Sequence, residues 1–380
     1  MNRHPLARRT LLAFAAASCA FPAVATAQSA GRGKALRIGT TFDNTGIGRV
    51  NGADLFAGSR ALIARVNREG GIQGVPLELA MEDDGFDPAV TKQKTEAFVA
   101  DPSILALLHP LGTQQTAAMM QVTTELAVVG PSTGTIGLRR SKAPNVFWTR
   151  ASYGDEMDRL LGMASTLELR SAALVYPNDA LGQSLLAAFQ ASCDKHKLKA
   201  VATSATPNTA SVEVEPAARV IAQANPQLVV MGLAASSPAF VLAFRRLNAS
   251  TRIFGISIGA SSGSIRAMGD MARGVGFSIV VPSPTAQKFE LVRRYQADLK
   301  AIGSTDYSLF GVEGYLAASV LVQALRRAGP GATRASVVQA LEEISGLDLG
   351  GVRVSFGRGL REGSDFVSVA VVGPEGRLTM

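Results

Sequence analysis

Between residues 28 and 380, the side chains able to make or break bonds are few and scattered. Two histidines occur there, His109 and His196. His109 closes a predicted strand, and His196 stands in Lys195-His196-Lys197 at the tail of a predicted helix. Neither has partners at the spacing of a zinc site, so no metal is expected. No phosphate-cradling lysine loop occurs, and Phe42-Asp43-Asn44-Thr45-Gly46-Ile47-Gly48 falls short of a dinucleotide fingerprint. That stretch reads as a turn over a cleft, and no cofactor is expected. The run Glu82-Asp83-Asp84 could serve general acid–base work, but strand-end solvation and a cap for the helix at Pro88 are the preferred reading. Two loops suit binding better. Leu111-Gly112-Thr113-Gln114-Gln115-Thr116 and Pro131-Ser132-Thr133-Gly134-Thr135 each place hydroxyls and backbone N–H groups after a strand. That combination suits a carboxylate or another anion. The alternative is that both loops only cap helices. An enzyme would need a nucleophile with its base, a metal cluster or a phosphate cradle. No such set is recognised, so the chain is read as a binder and not an enzyme.

These loops need strands and helices to aim them, and the hydrophobic pattern supplies both. Strands are predicted at 36–40, 77–81, 104–108 and 127–129, alternating with helices at 52–67, 88–99 and 114–124. The rhythm pauses around 145–153. It restarts with strands at 172–175, 200–203, 228–231 and 253–256, and helices at 181–196, 213–224 and 239–247. Such alternation implies βαβ units and parallel sheets, so an α/β chain with two doubly wound lobes is expected. Val275–Val281 reads as a strand crossing between them. Helices at 286–301, 309–328 and 334–344 follow, then strands at 352–356 and 366–372. The expected division is 36–150 plus 282–335 for the first lobe and 151–281 plus 336–380 for the second. Several crossings make a multi-strand hinge over a central cleft, and ligands of parallel sheets sit beyond the strands' carboxyl ends.

The bulk composition agrees. The chain has 380 residues, 47% of them hydrophobic and 18% charged, which describes a globular protein large enough for two lobes. Residues 1–27 read as an export signal. Arg3, Arg8 and Arg9 precede the short apolar run Leu11–Ala17, and Ala25-Thr26-Ala27 has the small-x-small form of a cleavage site. Arg8-Arg9 leaves the twin-arginine route open beside the general one. Cys19 lacks the upstream leucine of a lipidation site. Removing the signal takes away three of the eight excess positive charges, leaving +5. No basic cluster is interleaved with aromatics, so no nucleic acid is expected. No later segment is expected to cross a membrane, and a periplasmic monomer is anticipated. Cys193, the cysteine left after cleavage, follows Leu185, Leu186 and Phe189 at helical spacing and reads as a buried small hydrophobe.

Three segments, in order, carry a family resemblance. They are Asn67-Arg68-Glu69-Gly70-Gly71-Ile72-Gln73-Gly74, Asp83-Asp84-Gly85-Phe86-Asp87-Pro88 and Gly311-Val312-Glu313-Gly314-Tyr315. From Leu36 onward the chain resembles the periplasmic branched-chain amino acid binding proteins, solute receptors of ABC importers with the type I periplasmic fold. The resemblance implies a small solute held by lobe closure and a membrane permease as partner. It implies that Thr113, Ser132, Thr133 and Gly134 hold a carboxylate and that Phe310 packs on the ligand. The second lobe departs from the family. Leu181 and Ala234 align with tyrosines that hold the ammonium, and Ser257 with a glutamate. A carboxylate on an apolar or aromatic body therefore fits better than a zwitterion, since a buried unpaired charge is costly. Tyr153 is a candidate for a ring or hydroxyl contact. Glu313 is read as supporting its helix, with replacement of the missing acid as the alternative. Arg150 is read as a hinge salt-bridge residue, with an anion-partner role as the alternative. The rival functional readings are a sensor feeding a regulator and, less favoured, an exported enzyme.

Overall fold

The computed structural model describes residues 35–380, so the expected export signal, its expected cleavage point and Cys19 lie outside the described residues. The first sheet is built from β1 (Leu36–Phe42), β2 (Leu77–Asp83), β3 (Ile104–Leu108), β4 (Ala127–Val129) and β5 (Val146–Phe147). Their order is β2-β1-β3-β4-β5, with every pair parallel. The apolar run of β3 is buried throughout, as a central strand covered on both faces requires. The second sheet contains β6 (Ser171–Pro177), β7 (Lys199–Thr206), β8 (Leu228–Met231), β9 (Arg252–Gly255) and β10 (Gly276–Ile279). A short ribbon follows, β11 (Leu347–Asp348) with β12 (Arg353–Val354). Last, β13 (Ser368–Val372) and β14 (Leu378–Thr379) join the second sheet antiparallel, giving β14-β13-β10-β9-β8-β6-β7.

Three sequence expectations change. The stretch 275–281 is not a crossing strand. Its centre is β10, paired parallel with β9 and buried on both faces, so it belongs to the second sheet. The pause at 145–153 leads into an unanticipated helix, Tyr153–Thr166, opened by a capping box between Ser152 and Asp155. The segment 336–380, expected whole in the second lobe, divides. The helix Arg334–Glu342 buries Val337 and Leu341, and Arg334 donates to the carbonyls of Asp101 (2.7 Å) and Ile104 (3.0 Å) beside the first sheet. Arg361 likewise donates to Pro144 O at 2.6 Å, and Phe356 meets Phe147 edge-on at 5.2 Å. Only β13 and β14 complete the second sheet.

The helix Leu309–Ala328 has the length and composition of a membrane span, but 83% of its apolar window is buried within the fold. It is the central helix of the first lobe. It crosses the helix Arg49–Arg68 at glycine contacts: a Cβ on Gly58 would lie 1.9 Å from Gly311 O, and one on Gly314 1.9 Å from Leu55 O. Only glycine permits backbones that close. The chain passes between lobes after β5, after β10 and before β13. At the hinge, Trp148 N donates to Arg361 O and Gly363 N to Trp148 O, both at 2.8 Å.

Candidate functional site: the cleft between the lobes

A cleft of about 830 Å³ opens where the carboxyl ends of both parallel sheets face each other. Its floor on the first lobe is made by the loops after β3 and β4. These are locked together by a bridge between Leu111 and Ser132, with Ser132 N donating to Pro110 O at 2.8 Å. The helix Thr113–Val122 points its N-terminus into this floor. Its N-cap is Gly112, at φ +103°, and no side chain caps the first turn. A Cβ on Gly112 would sit 2.3 Å from Gln115 Oε1 and 3.0 Å from the Phe86 ring, so the position requires glycine twice over. Thr113 Oγ1 lies 2.8 Å from Thr133 Oγ1, which lies 3.4 Å from the Tyr153 hydroxyl. Ser132 is 3% exposed and lines the cleft, and its Oγ has no hydrogen-bond partner in the protein. These hydroxyls therefore do not act as helix caps. They form, with the open first turn, a donor-rich floor suited to an anion.

An apolar wall stands beside that floor. Phe86, Leu111 and Phe310 cluster with Leu55. The carboxylate run after β2 builds this wall rather than facing the cleft. Asp83 accepts from Asn44 N, Gly85 N and Thr45 Oγ1. Asp84 accepts from Phe86 N and Thr91 Oγ1, and burial raises its pKa. Asp87 caps the helix at Pro88, and Glu82 pairs with Lys94. Phe86 takes φ +61°, and Gln115 Nε2 donates to its carbonyl at 2.7 Å, fixing the ring over the floor.

The second lobe contributes a mainly apolar face, including Leu181, Ala234, Pro238, Ile258 and Ala267. Asp179 is its one carboxylate. That carboxylate already accepts from Gly182 N, Thr209 N and Thr209 Oγ1, stapling the loops after β6 and β7.

Of the residues named from sequence, Thr113, Ser132, Tyr153, Leu181, Ala234 and Phe310 line the cleft. Thr133 lies just behind, bonded to Thr113. Gly134 lies beneath Tyr153, whose N–H donates to its carbonyl at 2.7 Å; a Cβ there would come within 2.5 Å of the ring. Ser257 and Glu313 are not in the wall; both make contacts within the hinge, in place of the ligand contact expected near Ser257 and held as the alternative for Glu313. Arg150, fully buried, donates to Glu156 (2.6 Å), Ser257 Oγ (2.7 Å) and Glu313 (3.4 Å). Burial alone would lower its pKa, but Glu313 and Glu156 outweigh that and raise it. Glu156 also accepts from Ser257 N and Ser278 Oγ. Arg150 is thus the hinge ion-pair residue. Arg49, Phe86, Leu111, Asp179 and Ile258 line the cleft without having been singled out. Phe86 and Leu111 lay inside quoted segments; Arg49, Asp179 and Ile258 stand at or near the starts of helical segments, where only the fold sets their direction.

Gly130-Pro131-Ser132-Thr133-Gly134 and Gly259-Ala260-Ser261-Ser262-Gly263 have the G-x-S-x-G form of a nucleophile elbow. Neither serine has a base. Ser261 Oγ caps its own helix through Ser264, and Ser132 Oγ is without a partner. His109 is buried with Nε2 on Ser59, and burial pushes its pKa down to about 4. Among the described residues no group of His, Cys, Asp and Glu could hold a metal ion.

The profile described as periplasmic binding protein matches residues 35–372. The chain is similar to a substrate-binding periplasmic protein of Ralstonia solanacearum, with 30% identity over 90% of this chain and 99% of that one, at a TM-score of 0.84. It shares its fold with a branched-chain amino acid ABC transporter protein of Thermus thermophilus with bound valine (19% identity, 92% and 95% covered, TM-score 0.82). It also shares its fold with an ABC transporter solute-binding protein of R. palustris in complex with benzoate (18% identity, 91% and 95% covered, TM-score 0.79). No curated protein sequence matches it.

Proposed function

The chain belongs to the periplasmic binding protein family, and from that premise we propose that it captures a small organic acid between its lobes and delivers it to the permease of an ABC-type importer. The acid carries a carboxylate on an apolar or aromatic body. One observation carries this reading: Ser132 lines the cleft beside an uncapped helix N-terminus, and its hydroxyl is buried without a partner. A buried donor without a partner costs about 1–3 kcal/mol, a cost that a bound carboxylate removes. The wall of Phe86, Leu111 and Phe310 offers the body its contact. Valine and benzoate, held by the two relatives of shared fold, both bear a carboxylate. Asp179 is occupied by loop donors, which favours an acid without an ammonium. The protein works as a monomer in the periplasm, reached through the general or twin-arginine route with the signal cut near Ala27. The lobes close because the solute touches both and so binds the closed form better.

The test is isothermal titration of refolded, ligand-stripped protein with benzoate, 3-phenylpropanoate and valine, each beside its primary amide. The aromatic acids are expected to bind and to raise the melting temperature, valine to bind more weakly, and the amides to fail. Binding of amides as tight as that of the acids would sink the carboxylate reading.

A further inference from the structure

We infer that the solute bears a second carboxylate about 10 Å from the first, and that Arg49 selects for it. The inference rests on the reading that Ser132 and the Thr113 helix hold the first. Arg49 is the one cationic side chain that lines the cleft among the described residues. It has no carboxylate partner there. Its guanidinium makes a single contact, 3.4 Å from Nη1 to Gly46 O. The two acids of the adjoining loops are committed elsewhere. Asp43 accepts from Gly46 N (2.5 Å) and Gly48 N (2.6 Å), and Asp83 from Asn44 N and Gly85 N (both 3.0 Å).

The separation follows from strand order. Arg49 opens the helix after β1, and Ser132 follows β4. In the sheet β3 lies between them, so the strand ends that carry them are two steps apart, about 10 Å at roughly 4.8 Å per step. Leu111, in the loop after β3, presents apolar surface between the two poles. A cleft of about 830 Å³ falls within the roughly 300–1,000 Å³ that houses drug-sized ligands, larger than a single-ring monoacid needs. The ligand class is therefore an elongated dicarboxylate with an apolar middle, one end on the floor and the other on the guanidinium.

Two matched pairs test this by titration calorimetry: nonanoate with nonanedioate, and 3-phenylpropanoate with 3-(4-carboxyphenyl)propanoate. Each diacid is expected to bind about tenfold or more tightly than its monoacid, the strength of a charge-assisted contact. Arg49→Gln, checked for an unchanged melting temperature, is expected to weaken diacids about tenfold more than monoacids. Monoacids binding as tightly as diacids, or Arg49→Gln weakening both equally, would overturn the inference while leaving the carboxylate floor standing. Failure of every acid, single or double, would instead overturn the floor reading on which it rests.

Discussion

On the carboxylate reading Ser132 carries more of the site than any other side chain, because the residue is 3% exposed and its hydroxyl has no partner. Replacing it with alanine separates its two costs. Without ligand, Ser132→Ala removes an unsatisfied polar atom, so the melting temperature should hold or rise slightly. With an acid bound, the variant loses a hydrogen bond to a charged group, worth about 1.5–3 kcal/mol or roughly 10–100-fold in affinity. Calorimetry and a thermal melt on the same preparation read both. A drop in melting temperature with unchanged affinity would mean that Ser132 is structural and the floor lies elsewhere. That Ser132 and Thr113 line the cleft was legible from sequence because hydroxyls and glycines cluster after predicted strands, and that placement survives small errors of register. Ser257 and Glu313 were not. A linear pattern does not say which side of a strand end a side chain takes. Nor does it announce that Arg150 would meet Glu313 across 163 positions.

At the scale of elements, the hinge is held by one charge pair that is local in sequence and one that is distant. Glu156 comes from the helix Tyr153–Thr166, Glu313 from the central helix of the first lobe, and Arg150 from the crossing between them. Their strengths differ visibly. Glu156 is fully buried and accepts from Arg150 Nη2 (2.6 Å), Ser278 Oγ (2.6 Å), Ser257 N (2.8 Å) and Ser257 Oγ (3.0 Å). Glu313 has one longer contact at 3.4 Å. Glu156→Gln puts an amide donor among donors and leaves Arg150 half paired, which should cost about 3–5 kcal/mol. Glu313→Gln should cost clearly less. Urea unfolding of both variants gives the ordering, and equal or reversed midpoints would contradict this description of the hinge. The βα alternation that builds both sheets was readable because apolar runs bounded by turn residues have few other solutions. The helix Tyr153–Thr166 was missed although Tyr153, Met157, Leu160, Leu161 and Ala164 recur at helical spacing and Ser152 and Asp155 stand at capping-box spacing. The tail's division between lobes escaped because Val337 and Leu341 show an apolar face but not which sheet receives it.

For the whole molecule the question is what closure depends on. Away from the hinge the lobes meet at several places among the described residues, two of them polar or glycine contacts. Ile136 N donates to Ser184 Oγ at 3.3 Å, and Gly263, from the loop region after β9, stands against Val50 at the start of the helix Arg49–Arg68. A Cβ on Gly263 would lie 3.2 Å from Val50 Cγ1, so any larger side chain there must push Val50 aside. Overpacking such a junction costs about 1–3 kcal/mol, and here the cost falls on the closed arrangement alone, since separating the lobes relieves it. Binding energy is drawn from the closed form, so a closed form disfavoured by that amount lowers apparent affinity by roughly 5–150-fold. Gly263→Val should therefore weaken acid binding within that range while leaving the unliganded melting temperature nearly unchanged. In small-angle scattering, subsaturating acid should compact the variant less than the parent. Gly263 also lines the cleft, so direct obstruction of the solute is the competing cause. Val50→Ala in the same chain distinguishes them. If the clash is between lobes, trimming Val50 restores both affinity and compaction. If the valine blocks the solute, the double variant stays as weak as the single one, and closure through this junction is not what limits binding.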